Sequence, residues 1–217
     1  MRKEIIFAGS GGQGIITASI ILAEAIAIHE GHNVVQCQSY GPEARGGSSS
    51  SHVIINYERE VGYPKAMQPQ IMICLTQEAL DKFSHLLRPG GIMLTDRYHA
   101  RRLKQLDARV YNLHMYTAVK ERIGQHIVFS ICVLGALVGL TGIARPESVK
   151  KVIAARVPEH FLRPNEAAFD LGMELAAGAR IWRADLPEEP HLRGAVNDGG
   201  PLSRRDLLSS PSSGTKS

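Results

Sequence analysis

The stretch "FAGSGGQGIITASIILAEA", residues 7–25, places four glycines within six positions, between two apolar runs. "KEIIFA" at 3–8 predicts a strand, and residues 15–30 predict a long apolar helix. The turn between them, "GSGGQG" at 9–14, fits the pattern GxGxxG. At such a junction glycines let a phosphate approach the backbone, where helix N–H groups and the helix dipole favour an anion. The alternative is that the glycines only allow the helix to pack closely on the sheet.

Strand and helix signals alternate through about residue 113, and later residues are mainly helical. Strands are further predicted at 33–38, 52–57, 71–76, 92–96 and 108–113, and helices at 77–87, 117–124, 127–141, 146–155 and 165–183, with Trp182 closing the last helix against the core. This order predicts an α/β fold, a single domain with a mostly parallel sheet flanked by helices and a helical C-terminal half. The domain is expected to span 1–183, and the Pro-, Gly- and Ser-rich residues 184–217 are expected to form a flexible tail.

The second predicted strand argues against NAD as the ligand of the glycine turn. A dinucleotide fold places an acidic residue about 20 residues after the glycines, at the end of that strand, to hold the ribose. Here the strand ends in "QCQSYG" at 36–41, and the next acidic residue is Glu43. The turn also lacks the pattern GxxxxGK[ST] of a nucleotide triphosphatase loop. The missing acidic residue speaks against a stand-alone nucleotide-binding dehydrogenase, which is kept as the alternative hypothesis. Tight NADH binding by the isolated chain would support it.

A second glycine-rich segment, "SYGPEARGGSSSS" at 39–51, follows the second predicted strand. Its Pro and Gly content predicts a loop without regular structure. In a parallel sheet this loop and the glycine turn meet at the carboxyl ends of the strands. Arg45 is a planar, always charged partner for phosphate or carboxylate. Pairing of Arg45 with Glu43 or a local carbonyl, which would only shape the loop, is an equal alternative.

The composition excludes several classes of function. The formal net charge is +4 with scattered basic residues and 6% aromatic residues, so no nucleic-acid surface is indicated. The three cysteines lie far apart without zinc or iron–sulfur spacing, which predicts buried thiols in a reducing compartment. No metal site and no catalytic acid–base constellation is predicted. The N-terminal apolar run is too short for a signal peptide, so a cytoplasmic protein is expected.

Two other segments have two interpretations each. "IVFSICVLGALVGLTGIA" at 127–144 is uncharged, and one interpretation is a transmembrane helix. Its glycines and its length favour the other interpretation, a buried helix that packs closely against its neighbours. "DRYHARRLK" at 96–104 is interpreted as a solvated helix start. Contact with an acidic partner or with the nucleotide end of coenzyme A is its alternative.

The two glycine-rich loops together resemble the gamma subunit of the 2-oxoacid:ferredoxin oxidoreductases. The resemblance extends through "YPKAMQPQIMICLTQEALDKFSHLLRPGGIMLTD" at 63–96, "LGAL" at 134–137 and "PNEAAFDLG" at 164–172, and it covers about 1–183. Where that family often has an Asn shortly before "LGAL", the nearest polar residue here is Ser130.

This resemblance implies one subunit of an enzyme that converts a 2-oxoacid, coenzyme A (CoA) and oxidised ferredoxin to acyl-CoA, CO₂ and reduced ferredoxin. The implied partners are the alpha and beta subunits, and a ferredoxin-like delta subunit is a further candidate. Thiamine diphosphate, Mg and the iron–sulfur clusters belong to those partners, so the isolated chain is expected to be inactive. The gamma chain helps to bind CoA and to cover the thiamine diphosphate site.

The resemblance also implies which residues form the CoA-binding surface. They are Gly9, Gly11, Gly12, Gln13 and Gly14 in the first loop and Tyr40, Glu43, Arg45, Gly46 and Gly47 in the second. The form "SYGPEARGG" is similar to the 2-oxoglutarate, branched-chain and pyruvate enzymes, and 2-oxoglutarate is the favoured substrate. A purely structural subunit without ligand contacts is the remaining alternative.

Overall fold

A computed structural model describes residues 1–39, 48–103 and 105–182 of the chain. The strands are β1 (Arg2–Ser10), β2 (Asn33–Ser39), β3 (Ser48–Asn56), β4 (Ile71–Cys74), β5 (Gly91–Asp96) and β6 (Ala108–Leu113). The helices are α1 (Ile15–Glu24), which continues as π-helix over Ala25–His29, α2 (Gln77–Phe83), α3 (Met115–Arg122), α4 (Phe129–Thr141), α5 (Pro146–Arg156) and α6 (Glu159–Ala177). Short 3₁₀ turns lie at Ser84–Leu86 and His126–Val128.

The strands form one mixed sheet in the order β2-β3-β1-β4-β5-β6. β1, β4, β5 and β6 pair in parallel, and β3 is antiparallel to both β1 and β2. Residues 40–47 between β2 and β3 are too few for the crossover that parallel neighbours need, whereas antiparallel neighbours need only a short connection. The predicted α/β fold with a mostly parallel sheet is thus confirmed.

Each face of the sheet carries its own apolar cluster because side chains alternate along each strand. Ile5 and Phe7 of β1 point into the larger cluster, which includes residues of α1, α3, α4, α5 and α6. Ile6 and Ala8 point into the smaller cluster, which includes Ala79 and Leu80 of α2. The helical C-terminal half therefore packs on one face, together with α1.

The serines at 48–51 differ from the prediction, which placed them in an irregular loop. They form the first residues of β3 instead. The Ser51 hydroxyl is satisfied inside the fold: Ser51 Oγ lies 2.7 Å from Ser19 Oγ of α1 and accepts from Gln36 Nε2 at 2.7 Å. Because serine is small and can bond to neighbouring strands and helices, a serine run can enter a sheet that propensity alone would end before it.

The C-terminal prediction also needs correction at Trp182. The last helix ends at Ala177, and Trp182 lies beyond it, with its backbone N–H donating to Val110 O of β6 at 2.7 Å. Its side chain packs against the smaller cluster and not against the cluster that α6 joins. Residues 183–217 lie outside the described residues, so the tail from 184 stays a prediction.

The uncharged stretch at 127–144 forms α4, which is buried from Phe129 to Val138. It packs mainly on α6. Across the described part of the chain, no helix has the length and apolar character needed to cross a membrane. A Cβ at Gly135 or Gly139 would collide with atoms of α6, so these two glycines serve close helix packing.

Candidate ligand site at the carboxyl edge of the sheet

The carboxyl ends of the parallel strands bring the predicted loops to one edge of the sheet. β1 ends at Ser10, which pairs with Ser48 at the start of β3, and β2 ends at Ser39 on the far side of β3. Both ends of the second predicted loop therefore lie at the edge that carries the glycine turn. Tyr40, Glu43, Arg45, Gly46 and Gly47 themselves fall outside the described residues.

The glycine turn leaves the middle of its backbone uncovered. A Cβ atom added at Gly11 or at Gly12 would meet no atom of the described structure within 4 Å. Gly12 has φ +87°, in the left-handed region that favours glycine, whereas Gly11 does not need a positive φ. At these two residues the chain therefore offers a backbone that a ligand can approach closely.

The outer glycines of the turn are packed instead of open. A Cβ at Gly9 would lie 2.5 Å from Gln13 Oε1, and one at Gly14 would lie 2.5 Å from Ser130 Oγ. Gly14 also has φ +71°, as the residue before α1. Gly9 and Gly14 therefore show the close packing that the sequence offered as the alternative, whereas Gly11 and Gly12 have no described atom in the way of a ligand.

Gln13 is used within the chain. Its Oε1 accepts from the N–H of Ser10 at 2.9 Å, and its Nε2 donates to Leu75 O, just after β4, at 3.3 Å. The amide oxygen thus closes the turn on the end of β1, and the amide nitrogen ties the turn to the segment after β4. The sequence predicts a ligand contact for Gln13, and the structure gives it a bracing role in the turn.

Two helix N-termini meet beside the turn, because Gly14 at the start of α1 abuts Ser130 in the first turn of α4. Neither helix start has a side-chain cap among the described residues. The first N–H groups of a helix and its dipole favour negative charge. The edge is therefore suited to an anion, and Ser130 forms part of its wall.

Asp96 is a buried carboxylate at the same edge of the sheet, and the sequence reasoning did not single it out. It ends β5 and is 0% exposed. One carboxylate oxygen accepts from the N–H groups of Tyr98 and His99 and from His99 Nδ1, at 3.1, 3.3 and 2.9 Å. The other accepts from the N–H of Tyr116, in the first turn of α3, at 2.8 Å. Its position at the end of a buried parallel strand was the available signal.

Residues 97–99 after Asp96 form a turn and 100–103 have no regular structure, in place of the predicted helix start. Asp96 accounts for the difference, because its carboxylate holds the backbone of the next residues in a turn. Gln77 of α2 holds the same segment further along: its Oε1 accepts from the N–H of Arg102 and its Nε2 donates to Arg102 O, both at 3.0 Å.

Aromatic rings cover the Asp96 turn. Tyr98 stacks on Tyr116 with centroids 4.6 Å apart, and Tyr116 stacks on His126 at 5.1 Å. The His99 ring lies edge-on to Tyr116 at 4.6 Å.

Burial and the neighbouring Arg97 guanidinium lower the pKa of His114, directly before α3. A neutral His114 can accept from Arg97, whose Nη1 lies 3.4 Å from His114 Nε2.

The described residues contain no group of three or more side chains arranged to hold a metal ion.

Cys74 and Cys132 are buried, and burial raises the pKa of Cys132 to about 12. Cys37 departs from the prediction because it is only half-buried and donates to Pro64 O. The groups that this edge offers to a ligand are backbone N–H groups and helix termini.

Comparison with known proteins places the chain in a family. The family model of pyruvate ferredoxin/flavodoxin oxidoreductase matches residues 4–175. The 2-oxoglutarate synthase subunit KorC of Methanocaldococcus jannaschii is 42% identical over 178 residues, which cover 81% of this chain and 95% of the relative.

Solved structures agree with the family match. The gamma subunit of a keto/oxoacid ferredoxin oxidoreductase from Geobacter sulfurreducens is 41% identical with a TM-score of 0.75, over 82% of this chain and 98% of that one. The chain also shares its fold with the 2-oxoglutarate:ferredoxin oxidoreductase from Magnetococcus marinus, whose structure has 2-oxoglutarate, coenzyme A and succinyl-CoA bound. The TM-score is 0.74 at 22% identity, and the match covers 84% of this chain and 32% of that one.

The fold, the glycine turn and these relatives define a subunit of a multi-subunit oxidoreductase. The chain belongs to the pyruvate ferredoxin/flavodoxin oxidoreductase family. Within it, the chain is a gamma subunit of a 2-oxoacid:ferredoxin oxidoreductase. The resemblance inferred from the two loops is confirmed.

Proposed function

We propose that this gamma subunit serves a 2-oxoglutarate:ferredoxin oxidoreductase and forms part of its CoA site. The enzyme would convert 2-oxoglutarate, CoA and two oxidised ferredoxins to succinyl-CoA, CO₂, two reduced ferredoxins and a proton. The relative from M. jannaschii supports this substrate by its name, and the fold relative from M. marinus carries CoA and succinyl-CoA.

The observation that carries the CoA role is the open backbone at Gly11 and Gly12, directly before the uncapped start of α1. A pyrophosphate placed there would receive backbone N–H groups and the positive end of the helix dipole. CoA fits this site better than NAD, since β2 carries no acidic residue to hold a ribose.

The second loop would complete the CoA site from the other side of β3. Ser39 and Ser48, which flank it, lie at the edge that carries the glycine turn. We propose that Arg45 pairs with a phosphate of CoA, that Gly46 and Gly47 expose backbone N–H groups, and that Tyr40 and Glu43 shape the loop. The rigid sheet would hold both loops at a fixed separation.

Thiamine diphosphate on the partner subunits supplies the carbanion chemistry of decarboxylation, and their iron–sulfur clusters take the electrons. This chain would position CoA, so that its thiol reaches the partner's active site, and would exclude water by covering that site. The proposed domain is 1–183, and a chain that ends at residue 183 should support full activity of the complex.

The test substitutes Gly11→Ala and measures the KM for CoA in the assembled complex. A methyl group at Gly11 meets no atom of the described structure, so the fold should tolerate it, while a phosphate at the backbone would be displaced. We expect KM for CoA to rise about tenfold, about 1.4 kcal/mol, with kcat nearly unchanged. Gly178→Ala, also in open space but beyond α6, is the matched control.

An unchanged KM for CoA in both Gly11→Ala and Arg45→Ala would support a purely structural subunit instead. The substrate is tested separately, by comparing kcat/KM of the complex for 2-oxoglutarate, pyruvate and 2-oxoisovalerate. A preference for either of the last two would contradict 2-oxoglutarate as the substrate and leave the CoA role standing.

A further inference from the structure

Ser130 carries a buried hydroxyl beside the glycine turn. It lies in the first turn of α4 and is 5% exposed. Its Oγ lies 2.5 Å from the position that a Cβ would take at Gly14, the residue directly before α1. Among the described residues, this hydroxyl has no hydrogen-bond partner. Buried hydroxyls in folded proteins are normally hydrogen-bonded, so the Ser130 hydroxyl points to a partner outside the described chain.

The helix that carries Ser130 holds it firmly in place. α4 is buried from Phe129 to Val138. Its backbone is in close contact with α6, because a Cβ at Gly172 would collide with Cys132 O and one at Gly135 would collide with Phe169 O. Helices packed this closely resist displacement. A bond from a ligand to Ser130 therefore needs no rearrangement of α4.

The start of α1 supplies the electrostatic part of the same corner. The first turn of α1 contains no acidic residue, and its start has no side-chain cap among the described residues. The free N–H groups and the dipole of a helix start favour an anion. The N–H of Phe129 already donates to His126 O, and the Ser130 hydroxyl is the donor that α4 adds. An anion at this corner would receive N–H groups from one helix and an O–H group from the other.

We propose that the Ser130 hydroxyl donates a hydrogen bond to a phosphate oxygen of CoA bound against the start of α1. This contact rests on the proposed CoA role and adds to it a residue from a helix that is distant along the chain. A phosphate group has several acceptor oxygens, so it can accept from backbone N–H groups and from a hydroxyl at once. Gly11 and Gly12 would let the phosphate approach, and Ser130 would hold it from the side.

Ser130→Ala in the assembled complex tests the contact. The substitution removes a single oxygen that has no described partner, so the thermal stability of the complex should not fall. We expect KM for CoA to rise about tenfold, because a hydrogen bond to a charged group is lost. The kcat and the KM for 2-oxoglutarate should stay nearly unchanged.

Ser148→Ala is the matched control. Ser148 is also a buried serine, 4% exposed, in the first turn of a helix. It lies on α5, whose start is at the other end of the α1 segment, where Arg145 donates to His29 O. Ser148→Ala should leave KM for CoA within twofold of the wild type.

Pantetheine identifies the part of CoA that Ser130 contacts. It carries the reactive thiol of CoA but no phosphate, and it is offered to the complex in place of CoA. Ser130→Ala should lower kcat/KM for CoA about tenfold and leave kcat/KM for pantetheine unchanged. An equal loss for both substrates would overturn the phosphate contact.

Three further outcomes would overturn the proposal: an unchanged KM for CoA in Ser130→Ala, an equal rise in Ser148→Ala, or a loss of thermal stability in Ser130→Ala that accompanies a loss of kcat. The Ser130 contact and the CoA role can fail separately. If Gly11→Ala raises KM for CoA and Ser130→Ala does not, the contact fails and the CoA role stands. If neither variant raises KM, the CoA role itself fails.

Discussion

Glycines serve opposite purposes in two regions of this molecule. At the glycine turn, Gly11 and Gly12 have no described atom near the position of a Cβ. At the crossing of α4 and α6, a Cβ on Gly135 would collide with Phe169 O, and one on Gly172 would collide with Cys132 O. Among the described residues, the first pair leaves space above its backbone, whereas the second pair allows two helices to come into close contact.

This difference shows how to separate glycines that bind from glycines that pack. Substitution at the helix crossing should change the free energy of unfolding, whereas substitution in the middle of the turn should change ligand affinity alone. Gly14 combines both situations, because it has a positive φ and also lies against Ser130. The four predictions below follow the expected loss of stability from largest to smallest.

Gly172→Ala should have the largest effect on stability. Its methyl group would collide with the backbone of α4, and backbone cannot yield as a flexible side chain can. We expect a loss of about 3 kcal/mol from the free energy of unfolding, the upper end of typical overpacking costs, measured by urea denaturation. Gly178→Ala, in open space just after α6, should cost far less. Equal costs for the two variants would mean that the helices are not in close contact.

Gly14→Ala should have an intermediate effect. The alanine must adopt φ +71° and must also displace Ser130, so we expect a loss of about 2 kcal/mol. Ser130→Gly removes the clash but not the backbone strain. The double variant should therefore recover only part of the loss in thermal unfolding. Full recovery would show that the strain is negligible, and no recovery would show that Ser130 is not the obstacle.

Gln13→Ala should cost about 1 kcal/mol, because the hydrogen bonds to Ser10 N–H and Leu75 O are lost. Gln13→Glu keeps the acceptor for Ser10 but loses the donor to Leu75, so its loss should be intermediate. Urea denaturation of both variants measures the difference. A KM for CoA that rises with no change in stability would instead make Gln13 a ligand contact.

Gly11→Ala should have the smallest effect on stability, within about 0.5 kcal/mol of the wild type, as expected for a substitution in open space. Gly11→Ala and Gly172→Ala add the same methyl group. We expect Gly172→Ala to lower the free energy of unfolding and Gly11→Ala to weaken CoA binding. A loss of more than about 1 kcal/mol in thermal unfolding would place Gly11 among the packing glycines.

The sequence predicted most of the fold because its strands and helices have clear patterns. "IMIC" at β4 is a continuous apolar run, and Pro146 starts α5 as helix-initiating prolines do. Ser48–Ser51 were missed because a run of serines has no strand pattern of its own, and Ser51 is held by Ser19 and Gln36, which are distant along the chain. Trp182 was misplaced for the same reason, since the cluster that it joins lies on the other face of the sheet.

The candidate site was predicted in part. The glycine turn was found, but only the structure separates the open Gly11 and Gly12 from the packed Gly9 and Gly14. Asp96 was read as one member of a charged run because its burial depends on β5, α3 and His99 together. A carboxylate in such a run shows its role only when its hydrogen-bond partners are known.

The sequence by itself determined the family, the α/β fold and the absence of an acidic ribose partner at the end of β2, because these follow from local order and spacing. The tertiary structure alone decided which glycines face open space, where Gln13 bonds, and that the buried Asp96 carboxylate holds the turn after β5. The physical reason is that periodicity is a property of neighbouring residues, whereas open space, collision and burial arise only when distant segments pack together.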